Sequence, residues 1–198
     1  MRLAKTFLAT MTAVMLMAAP SFAIDMGQRA GFLPVRAEAA APGGATSLCS
    51  HYDWACAPGN GRAVGADVVE LAVKVNRSAN RAIHAVSDQA QYATEEVWTL
   101  PTATGGDCED YVLYKKRALI EAGVNPDRLL IATVLDRKGN SHAVLVLRAD
   151  AGDLVLDNMT NSVKSWDKTG YTFLRMQDPN QPSRWVATLA GGMLQQNS

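Results

Sequence analysis

Cys108, His142 and Asp157 are the side chains of this sequence whose types and placement can carry nucleophilic chemistry. Cys108 follows Thr104-Gly-Gly-Asp107 and opens a run that reads as a helix to about Ala122, stopped by Gly123 and Pro126. Asp107 suits the N-cap, and Asp110 stands three residues on, the spacing of a capping box. Cys108 then lies in the first helical turn, where unpaired backbone N–H groups and the helix dipole favour an anion. A thiol so placed ionises more readily, and the thiolate is the attacking species. His142 opens one apolar run and Asp157 closes the next. An imidazole can take the thiol proton and give one to a leaving amine, while a carboxylate orients the ring and stabilises its cation. The Cys108 backbone N–H, at a helix start, is a natural oxyanion donor. The competing reading is a buried structural cysteine with a hydrogen-bonded core histidine.

The same helix start carries a conflict. Asp107, Glu109 and Asp110 surround Cys108 with negative charge, which raises a thiol pKa. A bound divalent cation would remove the conflict, and hard carboxylate oxygens suit calcium. Alternatively, the three acids only complement the helix N-terminus.

Several elements must bring these residues together. From about Gly65 to Val86, Val68, Leu71, Ala72, Val75, Ala79, Ala82, Ile83 and Val86 recur at helical spacing. Residues 89–104 read as a connector carrying Trp98, which is either core or one wall of a cleft. On the helix from Cys108, Val112, Lys115 and Leu119 share the cysteine side. Three strand-like runs follow, Arg128–Asp136, His142–Arg148 and Asp153–Asn158, joined by glycine-containing links of hairpin length. Further strand character lies at Tyr171–Met176 and Arg184–Ala190. The expectation is an α+β fold, with N-terminal helices and the cysteine helix packed on an antiparallel sheet. If Arg148 pairs with Asp153, Asp157 becomes the diagonal neighbour of His142 on the same face, about 5–8 Å away between backbones. A one-residue slip turns it to the other face.

The 198 residues suffice for one domain with a real core, and the balance of 19 basic and 19 acidic residues offers nothing to nucleic acid. The first 23 residues read as a secretory signal: Arg2 and Lys5, an apolar run from about Leu8 to Ala19, then Ser21-Phe22-Ala23, with cleavage after Ala23. That implies an oxidising compartment, the periplasm or the exterior. Three cysteines then leave one unpaired. Cys49 and Cys56 flank a short loop that a disulfide could close, making Cys108 the odd thiol; the alternative is a metal site from Cys49, His51, Cys56 and His84. Residues 24–46, rich in Ala, Gly and Pro, read as a flexible lead-in, 47–190 as the one domain and 191–198 as a tail.

Gly106-Asp-Cys-Glu-Asp-Tyr111, Lys115-Lys-Arg117 with Leu119-Ile120, His142-Ala-Val-Leu145 and Gly152-Asp153 with Val155-Leu-Asp-Asn158 together resemble the bacterial transglutaminase-like cysteine peptidases of the LapG type. Trp166, Tyr171, Trp185, Cys49 and Cys56 fit the same pattern, and the resemblance covers about residues 47–187. It implies a papain-like, transglutaminase-like core and a Cys-His-Asp triad of Cys108, His142 and Asp157. It also implies calcium bound through Asp107 and Glu109, periplasmic location and a protein substrate. The best-known members clip large surface adhesins at an Ala-Ala site, releasing biofilm cells, and a regulatory protein at the inner membrane is the expected partner. Two other classes stay open on the residues alone: a transglutaminase-type acyltransferase, which shares the thioester intermediate, and a non-catalytic binding module on the same fold.

Overall fold

The computed structural model describes residues 31–59 and 66–194. The signal-peptide reading of 1–23, residues 24–30 of the lead-in and residues 195–198 of the tail lie outside the described residues. In chain order the elements are β1 (Ala37–Ala39), α1 (Leu48–His51), α2 (Ala66–Ala82), α3 (Asp88–Tyr92), α4 (Cys108–Glu121), β2 (Leu129–Leu135), β3 (Ser141–Ala149), β4 (Gly152–Leu156), β5 (Lys164–Ser165), β6 (Thr172–Gln177) and β7 (Trp185–Ala190). The strands form one antiparallel sheet in the order β1-β7-β6-β2-β3-β4-β5.

The central strands are apolar at nearly every position because both faces of the sheet are covered. On one face Leu129, Ile131, Leu145 and Leu147 pack with Val112, Leu113 and Leu119 of α4 and with Ala72 of α2. On the other, Leu130, Ala132, Val144 and Val146 pack with Leu33, Trp166, Tyr171 and Phe173. Helix α4 buries the stripe expected of it: Val112, Lys115 and Leu119 are all buried.

The register that the triad requires is present. Arg148 pairs with Asp153, and Leu145 with Leu156. Arg148 also grips Asp153 through Nε at 3.1 Å and Nη2 at 3.3 Å.

Three expectations need correction. Residues 31–46 are not a flexible lead-in but part of the fold: β1 pairs with β7, Leu33 is buried, and the Leu33 N–H donates to Asp153 Oδ2 at 2.7 Å. An edge strand pairs through its backbone, so Ala-Glu-Ala suffices, and a single Leu joins the cluster on the second face of the sheet; neither needs the periodicity that marks a helix or a long strand. The second helix ends at Ala82 rather than Val86, because Ala85 leaves it to bridge Gly106. The 89–104 connector begins inside a short helix, α3, capped by Ser87, whose side chain accepts from the Ala90 N–H.

Candidate active site

Cys108 is the first residue of α4, and the chain reaches it through two glycines that admit no side chain. Gly105 has φ +128°, and a Cβ there would sit 2.1 Å from the His84 carbonyl oxygen. At Gly106 a Cβ would meet the Asp110 carboxylate at 2.4 Å. This closeness lets segment 84–86 pin the cysteine loop, with the Gly106 N–H donating to His84 O and the Val86 N–H to Gly106 O, both at 3.0 Å. Asp107 is the N-cap residue, but its side chain makes no capping bond. Oδ2 accepts the Asp88 N–H at 3.0 Å instead, so the expected capping box is not completed by its first residue.

Cys49 and Cys56 form a disulfide, leaving Cys108 as a free, half-buried thiol. The bridge removes the alternative metal site at those cysteines. The loop it closes presents Tyr52, whose hydroxyl accepts the Leu100 N–H at 3.2 Å and meets Thr99 Oγ1 at 3.0 Å. That fixes the strand of chain carrying Trp98, which serves both roles foreseen for it. Its ring is 8% exposed in the core, in edge contact with Trp185 at 6.1 Å, and it also lines the cleft.

The cleft has a volume of about 390 Å³, and Cys108, Glu109 and His142 line it together. His142 stands near the start of β3, with its Nε2 2.9 Å from Asp157 Oδ1. Asp157 follows β4 and is 3% exposed. Its Oδ1 also accepts the Met159 N–H at 2.9 Å, and its Oδ2 accepts the Tyr171 hydroxyl at 2.6 Å. Asn80 of α2 donates to the Asp157 carbonyl oxygen at 2.9 Å. Burial alone would raise this carboxyl, but the bonds from His142, Tyr171 and Met159 hold it below the ordinary aspartate value. Nε2 is engaged by the acid, and Nδ1 is the other ring nitrogen of a histidine that lines the same cleft as the thiol.

The cysteine end is electrostatically opposite. Cys108 Sγ donates to Glu109 Oε2 at 3.0 Å. Burial first, and the Glu109 charge second, push the thiol pKa well up. Burial likewise pushes Glu109 up to about 8 and Asp110 up to about 7. Near Asp157, the Lys115 side chain is fully buried, and that burial pushes it down to about 7 despite the attraction of the Asp157 carboxylate.

Oxygens of Asp88, Asp107 and Glu109 lie within 4.8 Å of one another. Asp107 Oδ1 is buried and accepts no hydrogen bond from the described protein atoms. Three hard anionic donors converging on one point, one with a spare lone pair, fit a divalent cation of the calcium type. Asp107 and Glu109 were expected there and Asp88 was not. Asp88 lies 19 residues upstream, in a stretch without periodicity, so no local spacing ties it to the cysteine helix; only its place behind a Ser cap is legible in the sequence. The positions of Asn80 and Lys115 beside Asp157 were equally unforeseen.

Comparison with known proteins adds independent findings. The family model for bacterial transglutaminase-like cysteine proteinases (BTLCP) matches residues 35–192. No curated protein matches. Among solved structures, calcium-bound LapG of Legionella pneumophila is 24% identical over 64% of this chain and 74% of that one, with a TM-score of 0.52. A second LapG structure from the same organism is 23% identical over 62% and 70%, with a TM-score of 0.51. In the EGTA-treated form, at 24% identity and a TM-score of 0.49, the match spans 56% of this chain and 63% of that one, less than two thirds of its length. At these identities the solved structures bear on the fold, which is the α+β arrangement described above. The family match takes in β1, the cysteine helix and every other strand of the sheet, and on that ground the chain belongs to the bacterial transglutaminase-like cysteine proteinases.

Proposed function

We propose that the chain is an exported cysteine endopeptidase acting through Cys108, His142 and Asp157. The observation that carries this reading is the 2.9 Å His142–Asp157 pair lining up behind a cleft that also exposes the one free thiol. His142 Nδ1 takes the Cys108 proton, and the thiolate attacks the peptide carbonyl carbon. The oxyanion forms beside the Cys108 backbone N–H, which has no acceptor within the helix. Collapse breaks the C–N bond, and the imidazolium proton goes to the leaving amine. Water, deprotonated by His142, then attacks the thioester and releases the carboxylic acid and the thiol. Asp157 holds the Nε2–H throughout and stabilises the imidazolium without taking its proton.

Asp107 and Glu109, joined by Asp88, would hold calcium. When bound, the ion supplies positive charge that offsets the carboxylates beside the thiol. The solved relative carrying calcium is compatible with this assignment, and the orphaned Asp107 oxygen is its support within the chain. Engagement of Glu109 as a ligand removes the acceptor that now holds the Cys108 proton.

Export rests on the Arg2–Ala23 signal pattern, and the Cys49–Cys56 disulfide supports an oxidising compartment. Among the described residues no helix is long and apolar enough to cross a membrane. The substrate is a protein. A large surface adhesin, with an inner-membrane regulatory partner, follows from the family resemblance. The test is incubation of the mature protein with surface and secreted proteins of its host, with new N-termini mapped by mass spectrometry. Cleavage that is lost in Cys108→Ala supports the reading; products joined to an amine with loss of ammonia would favour acyl transfer, and no products at all would leave a binding module.

A further inference from the structure

Tyr171 touches both members of the acid–base pair. Its hydroxyl donates to Asp157 Oδ2 at 2.6 Å. Its ring meets the His142 imidazole nearly at right angles, 83°, with 5.8 Å between centroids. We propose that Tyr171 is a positioning residue of the triad: it fixes the rotation of the Asp157 carboxylate and, through it and its own ring, the orientation in which His142 presents Nδ1 to Cys108. This inference rests on the triad assignment made above.

The geometry of the carboxylate carries the argument. Asp157 Oδ1 serves two donors, His142 Nε2 and the Met159 N–H, each at 2.9 Å. Oδ2 accepts from Tyr171, which also touches Met159 Sδ at 3.9 Å. Without the hydroxyl, Oδ2 would be a buried acceptor lacking its donor, and the carboxylate would be free to rotate away from Nε2. The perpendicular ring wall resists the imidazole flip that would carry Nδ1 away from the thiol.

Tyr171 is itself held on all sides. Its N–H donates to Thr169 Oγ1 at 3.1 Å, and that hydroxyl donates to Trp166 O at 2.7 Å. Gly170 turns the chain at φ +76°, and a Cβ on Gly191 would sit 2.6 Å from the Tyr171 carbonyl oxygen. The side chain is 7% exposed. Burial, the bond to Asp157 and the Asp157 charge all raise the phenol pKa, so the group stays a donor. A buried tyrosine hydroxyl normally finds some partner; here that partner is the acid of the triad, which makes the choice testable.

The experiment uses the full mature chain with calcium present. Iodoacetamide is the probe, and the rate of Cys108 alkylation is read by mass. The Nε2–H of His142, one of three histidines, is followed by NMR. Tyr171→Phe keeps the ring and is expected to slow alkylation about tenfold, as befits loss of a bond to a charged group, and to shift or broaden the Nε2–H signal. In an Asp157→Asn background the same change is expected to add less than about a twofold effect, because the residue acts through the acid. An unchanged rate and signal in Tyr171→Phe, with Asp157→Asn slowed, overturns the proposal and leaves the triad standing. So does a full tenfold loss in the Asp157→Asn background, which marks a purely structural role. A normal rate in Asp157→Asn overturns the triad and this inference together. Should Tyr171→Phe fail to fold, 3-fluorotyrosine at position 171 keeps the shape and strengthens the donor; an unmoved His142 signal there overturns the proposal equally.

Discussion

At the imidazole end of the cleft each oxygen of Asp157 has a donor, whereas at the thiol end two carboxylate oxygens, Asp107 Oδ1 and Asp110 Oδ2, are buried without one among the described residues. The two ends differ in sign as well as in completeness. Hydrogen bonds hold the Asp157 carboxyl below its usual range, while burial lifts Glu109 to about 8 and, with the Glu109 charge, drives the Cys108 thiol far up. Three neutral or cationic donors make the first end self-sufficient. The second gathers acids around the thiol, and a helix terminus returns roughly 0.3–2 kcal/mol where one pKa unit corresponds to about 1.36 kcal/mol. On the proposed assignment, the imidazole end is completed by the protein's own side chains, while the thiol end would be balanced by a cation.

Removing a member of the complete end should have the largest effect. His142→Ala is expected to lower turnover by about 10⁴-fold or more, with no recovery on adding calcium, because no ion replaces the base. Asp157→Asn should fold normally yet lose about 10²–10⁴-fold, since an amide can neither fix the imidazole tautomer nor stabilise its cation. Melting curves alongside initial rates check both; near-normal turnover in either folded variant removes the assignment.

Breaking the incomplete end should have a smaller and rescuable effect. Chelation is expected to lower activity, and calcium to restore it better than magnesium, which dehydrates reluctantly and demands tighter geometry. Asp107→Ala and Glu109→Ala should each abolish calorimetric calcium binding while the protein stays folded. Asp88→Ala should weaken that binding by about 10–100-fold, the range typical of groups that support or complete a metal site. Full affinity in Asp88→Ala would return Asp88 to a loop-closing role through the Val97 N–H, which its Oδ2 accepts.

A separate effect concerns stability away from the cleft. Lys116 is fully buried, donating to Leu129 O and to Gln177 Oε1 at 2.8 Å, and burial lowers it to about 7 from 10.5. Between those values the unfolded chain binds more protons than the folded one, so this group makes stability rise with pH from about 7 to about 10.5. Urea unfolding across that range should show the rise, and Lys116→Met should flatten it.

Much of this was legible in the sequence, and the parts that were not share a cause. Cys108 announced itself through Gly105-Gly106 and the helix pattern behind it, and the β3–β4 hairpin sets Asp157 diagonal to His142 on the same face because the Ala149–Gly152 link permits the Arg148–Asp153 register. These are local signals: a turn, a periodicity, a loop length. Leu33, Asp88 and Tyr171 act across 120, 19 and 14 residues, on Asp153, Asp107 and Asp157. Nothing near each of them in sequence encodes those partners, since they meet only once the sheet has formed. The N-terminal segment was misread for the same reason. Its order comes from the β7 edge and from the buried Asp153 carboxylate, neither of which leaves a mark on residues 31–46.

On the proposed assignment, Cys108 becomes a nucleophile only with His142 on one side and a bound cation on the other. The most direct measurement is the second-order rate of Cys108 alkylation by iodoacetamide at neutral pH, in calcium and in chelator, for the wild-type chain and His142→Ala, with the label mapped by peptide mass spectrometry. The expected outcome is label on Cys108 alone, a rate in calcium well above that of the denatured chain, and a fall toward or below the denatured rate on chelation or in His142→Ala. A rate indifferent to both calcium and His142, or a label that leaves Cys108 untouched in active protein, would contradict it.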